Sequence, residues 1–203
     1  MGTERNEHGA THDGSTERGA TQDGATQESI RLPEASQSFL GIVIPVEGEY
    51  ARKVSATRAA TGDPFAYIPP HITLMSGVPL TDPAEAIAHV RNVVSAFSSF
   101  PIRFAGTDTF YPVSPVTYLR VAEGERELTE LHKRLHAGPL DAKPAFPFVP
   151  HLTLAQEIAP ERLAEVRREW EDVSFNMAAH SVTVHVGDGA GAWTQIEELV
   201  FNG

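Results

Sequence analysis

Cysteine is absent from this chain of 203 residues, and its absence excludes several chemistries. Without thiols the protein has no disulfides, thiolate metal ligands or cysteine nucleophiles. Long apolar runs are also missing, because no stretch approaches the roughly 20 apolar residues that a membrane helix requires. The N-terminal residues lack the apolar segment of a signal peptide, so we expect a cytoplasmic protein with no membrane partner.

Positive charge is scarce as well. The chain has 16 lysines and arginines against 27 acidic residues, a formal net charge of −11. Proteins that grip long nucleic acids use many phosphate contacts from a basic surface, so this composition argues against that class. A small phosphate ester in a pocket needs only a few local donors. We therefore expect the partner to be a small nucleotide or an RNA end, bound by a monomer.

Residues 1–36 contain few side chains that could form a core. The first 29 residues have no large aliphatic or aromatic side chain except Met1, and Gly-Ala-Thr recurs at residues 9, 19 and 24. Such a polar, glycine-rich segment cannot bury enough apolar surface to offset the entropy of ordering it. We predict a disordered tail over residues 1–36 and one folded domain over residues 37–203.

Strand-like and helix-like segments are interspersed in the domain. Strands are predicted at residues 39–44, 102–105, 116–121, 173–186 and 193–201, besides the two motif strands described below. Helices are predicted at residues 47–60, from the Asp82-Pro83 start, along the stripe of Leu128, Leu131 and Leu135, and over 160–170. A strand–turn–helix unit occurs twice. The pattern predicts an α+β fold, a duplicated two-lobed body with antiparallel-rich sheets and helices outside.

Two segments 80 residues apart share one motif: Pro70-His71-Ile72-Thr73-Leu74 and Pro150-His151-Leu152-Thr153-Leu154. In a strand, the His and Thr of each motif point to one face and the aliphatic residues to the other. Each proline directly precedes its strand, where its missing N–H costs no ladder hydrogen bond. One face is therefore expected to anchor the strand in the core, while the other presents an imidazole beside a hydroxyl.

Duplication of the motif predicts a catalytic site. Hydrolysis of a phosphodiester needs a base for the attacking water and an acid for the leaving oxygen, and two histidines near neutral pH can supply both. Threonine hydroxyls can donate to the non-bridging oxygens. This arrangement requires no metal. A single His-x-Thr is more often structural, but two copies in matched contexts favour a site.

The motif pair resembles the defining feature of the 2H phosphoesterase superfamily, also called the RNA 2′,3′-cyclic phosphodiesterase or 2′-5′ RNA ligase-like family. The matching residues are His71, Thr73, His151 and Thr153. Residues 39–45, an apolar run into a proline, resemble the family's first strand, and residues 116–121 resemble a segment between the motifs. The resemblance covers about residues 37–201.

The resemblance implies a bilobal fold around a central cleft, no cofactor, and a role in RNA processing as a hydrolase of 2′,3′-cyclic phosphates or short oligonucleotides. By that likeness His71 and His151 are catalytic, with His151 the base and His71 the acid, and Thr73 and Thr153 bind substrate. The alternatives are hydrolysis of a cyclic oligonucleotide or of an ADP-ribose cyclic phosphate, and a nucleotide sensor without turnover. Retention of all four residues favours an enzyme.

The chain departs from the pattern of RNA ligase-like members around the second motif. Phe148-Val149 stands where those members often have a basic residue, and Ala155-Gln156 where they often have an arginine. These departures weaken the case for ligase activity and leave the core chemistry intact.

Other candidate residues are interpreted as structural. His132 and His136 are four apart on a helix, but Lys133 stands where a zinc-protease motif needs Glu, so a solvated face is expected. His180 and His185 are expected on opposite faces of one strand. Three aromatic residues near the motifs are interpreted as core rather than as base-stacking groups, and three basic residues as surface charge rather than as phosphate-steering groups. They are Tyr67, Phe146 and Phe148, and Arg103, Arg120 and Lys143.

Overall fold

A computed structural model describes residues 38–144, 146–188 and 191–202. The tail predicted over residues 1–36 lies outside the described residues. The strands are β1 Phe39–Pro45, β2 His71–Pro79, β3 Phe100–Thr109, β4 Val116–Glu123, β5 His151–Gln156, β6 Ser174–Ala179, β7 Ser181–Gly187 and β8 Trp193–Val200. The helices are α1 Gly48–Thr61, α2 Pro83–Val94, α3 Glu125–Leu135 and α4 Pro160–Trp170, with a 3₁₀ turn at Gly138–Leu140.

The strands form two four-stranded antiparallel sheets. Sheet 1 has the order β2-β1-β7-β8 and sheet 2 the order β5-β4-β3-β6. The two motif strands, β2 and β5, are therefore each at an edge of their sheet. The predicted α+β fold with two antiparallel sheets and helices outside is confirmed.

Strand β1 shows why the sheets bury one face. Leu40, Ile42 and Ile44 alternate along it and are at most 1% exposed, so they lie in the core. The residues between them, including Gly41 and Val43, point to the opposite face. Strand β7 has the same alternation, with Val182 and Val184 fully buried. The face of sheet 1 away from this core is where the functional groups described below are found.

The helices follow the predicted signals. Asp82 caps α2, its Oδ1 accepting the N–H of Glu85 at 3.0 Å, and Pro83 is the first helical residue. The leucine stripe of α3 is fully buried, as is most of the stripe on α4. The four α-helices have 11 to 14 residues. None of the helices in the described part of the chain is long and apolar enough to span a membrane.

The single strand predicted over residues 173–186 is instead two strands. The chain leaves sheet 2 at the end of β6 and enters sheet 1 with β7, and His180 lies between them. No glycine or proline separates Ser174–Ala179 from Ser181–Gly187, so the sequence gives no sign of a break. The crossing is fixed by pairing with distant partners, β3 for β6 and β1 for β7.

Helices α1 and α3 pack in a reciprocal way. Helix α1 follows β1 of sheet 1 but packs against β5, the motif strand of sheet 2. Helix α3 follows β4 of sheet 2 but packs against β2, the motif strand of sheet 1. Each motif strand is therefore supported by a helix from the other repeat, and β2 and β5 also contact each other.

Candidate active site

The two motifs have matched geometry on β2 and β5. Ile72, Leu74, Leu152 and Leu154 are at most 1% exposed and belong to the core. The histidines and threonines that alternate with them are partly exposed on the other face. The alternation predicted from the sequence thus places His71 with Thr73, and His151 with Thr153, at the adjoining edges of the two sheets.

Each motif histidine is held by the same hydrogen bond. Nδ1 of His71 donates to the carbonyl oxygen of Pro69 at 2.7 Å, and Nδ1 of His151 donates to that of Val149 at 2.7 Å. A carbonyl oxygen can only accept, so each neutral ring carries its proton on Nδ1. The lone pair of each Nε2 is therefore available to a substrate or to water.

Burial lowers the pKa of both His71 and His151, because the charged imidazolium is poorly solvated at these positions. The carbonyl that accepts from each Nδ1 offsets part of this change. Repulsion from the positive charges of Arg58, His185 and His151 lowers the pKa of His71 further. A proton on His71 is thus opposed by burial and by nearby cations, and one on His151 by burial.

Aromatic rings surround His151. Phe110 meets its imidazole edge-on with centroids 5.0 Å apart, and Tyr118 lies at 5.0 Å with a tilt of 54°. Tyr118 is directly opposite Thr153 in the β4–β5 pair. Burial, and then the negative charge of Asp108, raise the pKa of the Tyr118 phenol, so it remains a potential hydrogen-bond donor. The sequence did not predict these aromatic contacts around His151.

Arg120 is directly opposite His151 in the β4–β5 pair. Its guanidinium lies across Gly106, where an added Cβ would be 2.5 Å from Nη2, so the glycine leaves room for the side chain. None of the ion pairs among the described residues involves Arg120. The interpretation of Arg120 as ordinary surface charge stays a prediction, because its Cα is opposite His151 while its guanidinium lies over β3, on the side of β4 away from β5. Arg103, in contrast, is at the other end of β3, opposite Glu123 and Asn176.

His185 is a third histidine on the same face. Thr73 is opposite Val43, Val43 is opposite Thr183, and His185 is two residues further along β7. Its Nε2 is hydrogen-bonded to the hydroxyl of Thr183 at 3.0 Å. The expectation that His180 and His185 share one strand is wrong, because His180 lies outside β7. Only the register across three strands brings His185 near His71, and the sequence alone carries no such signal.

A cavity of about 870 Å³ opens beside the motifs, with Thr73 and His151 in its wall. Phe110, Phe146 and Phe148 form much of its apolar lining, and Lys143 supplies a cation. Phe146 is 69% exposed, so its interpretation as a core residue is wrong. Tyr67 is 73% exposed and is likewise not in the core. Phe148, in contrast, is half-buried and packs against the core.

His132 and His136 also line this cavity. Nδ1 of His132 donates to the carbonyl of Leu74 at 2.8 Å, and its ring stacks on Phe148 with centroids 3.9 Å apart. The two histidine rings are 4.2 Å apart. The expected solvated helix face is therefore wrong, because α3 packs against β2 and turns this face toward the motif strand.

A buried ion pair shapes the loop before His71. Arg58, 3% exposed, donates from Nε to Asp63 at 3.0 Å and to the carbonyls of Phe65 at 2.7 Å and Ile68 at 3.0 Å. Asp63 also accepts the N–H of Phe65. Three contacts of Arg58, at Asp63, Phe65 and Ile68, thus determine how the chain enters β2.

No group of three His, Cys, Asp or Glu side chains in the described ranges is arranged to hold a metal ion.

Known proteins resemble this chain in sequence and in fold. The model of the 2′-5′ RNA ligase superfamily matches residues 45–191. A protein of Bacillus pumilus whose name classes it among the phosphoesterases is 37% identical over 104 residues, 50% of this chain and 60% of that protein. One of Halalkalibacterium halodurans, named in the same way, is 34% identical over 137 residues, 66% of this chain and 80% of that protein.

Solved structures show the same fold. The crystal structure of E. coli LigT in apo form superposes with a TM-score of 0.58 at 18% identity, covering 83% of this chain and 99% of that chain. E. coli LigT complexed with 3′-AMP superposes with a TM-score of 0.57 at 17% identity, covering 82% and 99%. At these identities the likeness concerns the fold alone.

Proposed function

The chain belongs to the 2′-5′ RNA ligase superfamily, and we propose that it is a metal-independent phosphodiesterase acting on 2′,3′-cyclic phosphates or short oligonucleotide phosphodiesters. His71 and His151 act as base and acid, and Thr73 and Thr153 donate to the phosphate. The observation that carries this proposal is the matched pair of Nδ1 hydrogen bonds, which leaves one free Nε2 on each motif strand.

The proposed step is an in-line displacement at phosphorus. Nε2 of the neutral histidine takes a proton from water as the water oxygen attacks. The bond from phosphorus to the leaving ribose oxygen breaks, and that oxygen takes the proton of the other, protonated imidazole. One water is consumed, and a cyclic diester becomes a monoester. The histidines end in exchanged protonation states and reset by proton exchange with solvent.

We assign the base to His71 and the acid to His151. Family resemblance alone suggests the opposite order. Burial lowers the pKa of both histidines, and Arg58 and a protonated His185 lower that of His71 further, whereas the repulsion between His71 and His151 is mutual and favours neither. When the pair shares one proton, electrostatics therefore favour placing it on His151.

Arg120 supports phosphate binding beside His151. A guanidinium can donate two hydrogen bonds to phosphate oxygens and offset the charge that develops on them. One such cation in a chain of net charge −11 suits a short substrate better than a long one. The 3′-AMP complex of the structurally similar E. coli LigT also favours a nucleotide-sized substrate.

The cavity beside Thr73 and His151 favours one alternative substrate. A volume of about 870 Å³ can accept more than a single nucleotide, so a cyclic oligonucleotide or an ADP-ribose cyclic phosphate is the second candidate. The phosphate chemistry would be the same. A sensor that binds without turnover is the outcome that the experiment below separates from both.

The test is turnover in the presence of EDTA. Purified protein is incubated with 2′,3′-cyclic AMP, an RNA ending in a cyclic phosphate, 2′-5′ oligoadenylate and a cyclic oligonucleotide. His71→Ala and His151→Ala are compared with His180→Ala, an exposed histidine outside the two motifs. We expect turnover that only the two motif substitutions abolish. Binding without turnover would indicate the sensor, and turnover that survives both substitutions would refute the proposed roles.

A further inference from the structure

Trp193, the first residue of β8, lies flat on the backbone of sheet 1. A Cβ atom at Gly41 would be 2.8 Å from Cζ3 of the indole, and one at Gly187 would be 3.1 Å from three of its ring atoms. Neither glycine has a positive φ, so both positions favour glycine because the ring approaches the backbone closely. The indole is nevertheless 42% exposed. One face of the indole packs on the glycine backbone of β1 and β7, while much of the ring remains exposed to solvent.

The indole is on the same face of sheet 1 as the motif. A Cβ at Gly41 points away from the core formed by Leu40 and Ile42, toward the ring. Val43, two residues along β1, points the same way and is opposite Thr73. Gly41 and Val43 are two residues apart along β1, and Thr73 is on the neighbouring strand β2. These two distances place the ring over Gly41 roughly 10 Å from Thr73. That separation matches the reach of a nucleobase from its own phosphate.

His185 lies between the indole of Trp193 and the first motif. It is opposite Gly41 in the β1–β7 pair, next to the backbone that the indole covers. Its charge contributes to lowering the pKa of His71, so it lies within electrostatic range of the motif. The surface from Trp193 past His185 to Thr73 is therefore continuous with the proposed phosphate site.

We propose that Trp193 is the platform on which the base of the substrate stacks, so that the enzyme selects nucleotides over other cyclic phosphodiesters. The inference rests on the proposed function and adds to it the feature of the substrate that is recognised besides phosphate. Every nucleobase presents a flat π-face, so stacking selects for a base without reading its identity. The glycines at positions 41 and 187 hold the ring parallel to the sheet, the orientation that a stacked base needs.

A purely structural role predicts something different. If the indole only covers the backbone of sheet 1, its removal lowers stability and affects all substrates alike. If it binds a base, its removal affects only substrates that have one. The comparison of two cyclic phosphodiesters that differ in the base separates these roles.

The kinetic test compares 2′,3′-cyclic AMP with glycerol 1,2-cyclic phosphate, which has the same five-membered ring and no base. For Trp193→Ala we expect kcat/KM to fall about tenfold or more on the nucleotide, chiefly through KM, and to stay within about twofold on the glycerol ester. Trp193→Phe should retain much of the activity. Ile196→Ala, at an exposed apolar position on the same strand, serves as the matched control. Equal losses on both esters would overturn the proposal.

Gly41→Ala is a second variant that keeps the indole but displaces it, because the new methyl would be 2.8 Å from the ring. We expect the same selective loss on the nucleotide as for Trp193→Ala. Unchanged selectivity in a variant whose altered Trp193 emission shows that the ring has moved would contradict the platform.

A binding measurement tests the platform without turnover. The chain has two tryptophans, Trp170 and Trp193, so emission lost in Trp193→Phe identifies the response of Trp193. We expect adenosine 2′-monophosphate to quench wild-type emission, ribose 5-phosphate to leave it unchanged, and Trp193→Phe to show no quenching by either. Quenching that persists in Trp193→Phe would refute the stacking. Trp193-dependent quenching without hydrolysis would refute the proposed activity and keep the platform.

Discussion

Phe110 meets the imidazole of His151 edge-on, with ring centroids 5.0 Å apart, whereas none of the aromatic contacts in the described part of the chain involves His71. The two motifs match in their sequence and in their Nδ1 hydrogen bonds, so this difference arises outside them. Arg58 and His185 lie within electrostatic range of His71 instead. A duplicated pair of residues can therefore perform two unlike roles.

The assignment of acid and base can be tested with an activated leaving group. A 4-nitrophenolate leaves without a proton, so a 4-nitrophenyl phosphodiester needs no general acid. We expect His151→Ala to lose about 100-fold or more on 2′-5′ oligoadenylate but far less on the 4-nitrophenyl ester, while His71→Ala loses activity on both. Selective rescue of His71→Ala would reverse the assignment.

The pH dependence of turnover follows from the direction of the two pKa changes. The proposed mechanism requires one neutral and one protonated imidazole, and burial lowers the pKa of both His71 and His151 below the usual histidine value near 6.5. As the pH rises, the protonated member is therefore lost earlier than in an exposed pair. We expect a bell-shaped profile of kcat/KM with its maximum on the acid side of pH 6.5. A maximum above pH 7.5 would contradict the stated protonation.

Arg120 should contribute to turnover and little to stability. It is exposed, opposite His151, and without an ion pair among the described residues. We expect Arg120→Ala to lower kcat/KM about 10- to 100-fold, since hydrogen bonds to charged groups contribute about 1.5–3 kcal/mol. Arg103→Ala, in the same sheet but away from His151, is the control and should change it less than twofold. A similar effect of both substitutions would indicate general attraction of anions.

The ion pair between Arg58 and Asp63 should matter for stability first. Removing one partner leaves the other charge buried, a loss of about 3–5 kcal/mol in comparable pairs. We expect Arg58→Met to lower the free energy of unfolding in urea by that amount. Lys53→Ala, which breaks the exposed pair with Glu49, should change it by less than about 0.5 kcal/mol. A loss below 1 kcal/mol for Arg58→Met would mean that the loop before β2 does not depend on this pair.

The sequence predicts features that are local along the chain. The His–Thr alternation, the Asp82 cap and the leucine stripe of α3 each depend on residues within one element, so periodicity and spacing reveal them. The two motifs can also be recognised because the same pattern occurs twice in the sequence. For these reasons the fold class and the four motif residues could be proposed without a structure.

Features that depend on register between distant strands were missed. Arg120 lies beside His151 because β4 pairs with β5 in one register, and a shift by one residue would turn it to the opposite face. The position of Trp193 over Gly41 joins strands more than 140 residues apart in the sequence. The side-chain pattern of either strand alone leaves such contacts undetermined.

The interleaved order of the sheets bears on how the protein is made. Sheet 2 consists of β3 to β6, which are consecutive along the chain, so all its strands have been synthesised by residue 179. Strand β1 is synthesised early but receives its second neighbour, β7, only from residues 181–187. Because pairing between distant segments is slow, we expect sheet 2 to form before sheet 1, in which β1 and β2 are a hairpin until β7 pairs with β1. The surface beneath Trp193 is then the last part of sheet 1 to be completed, so the proposed stacking platform exists only after β8 has paired with β7.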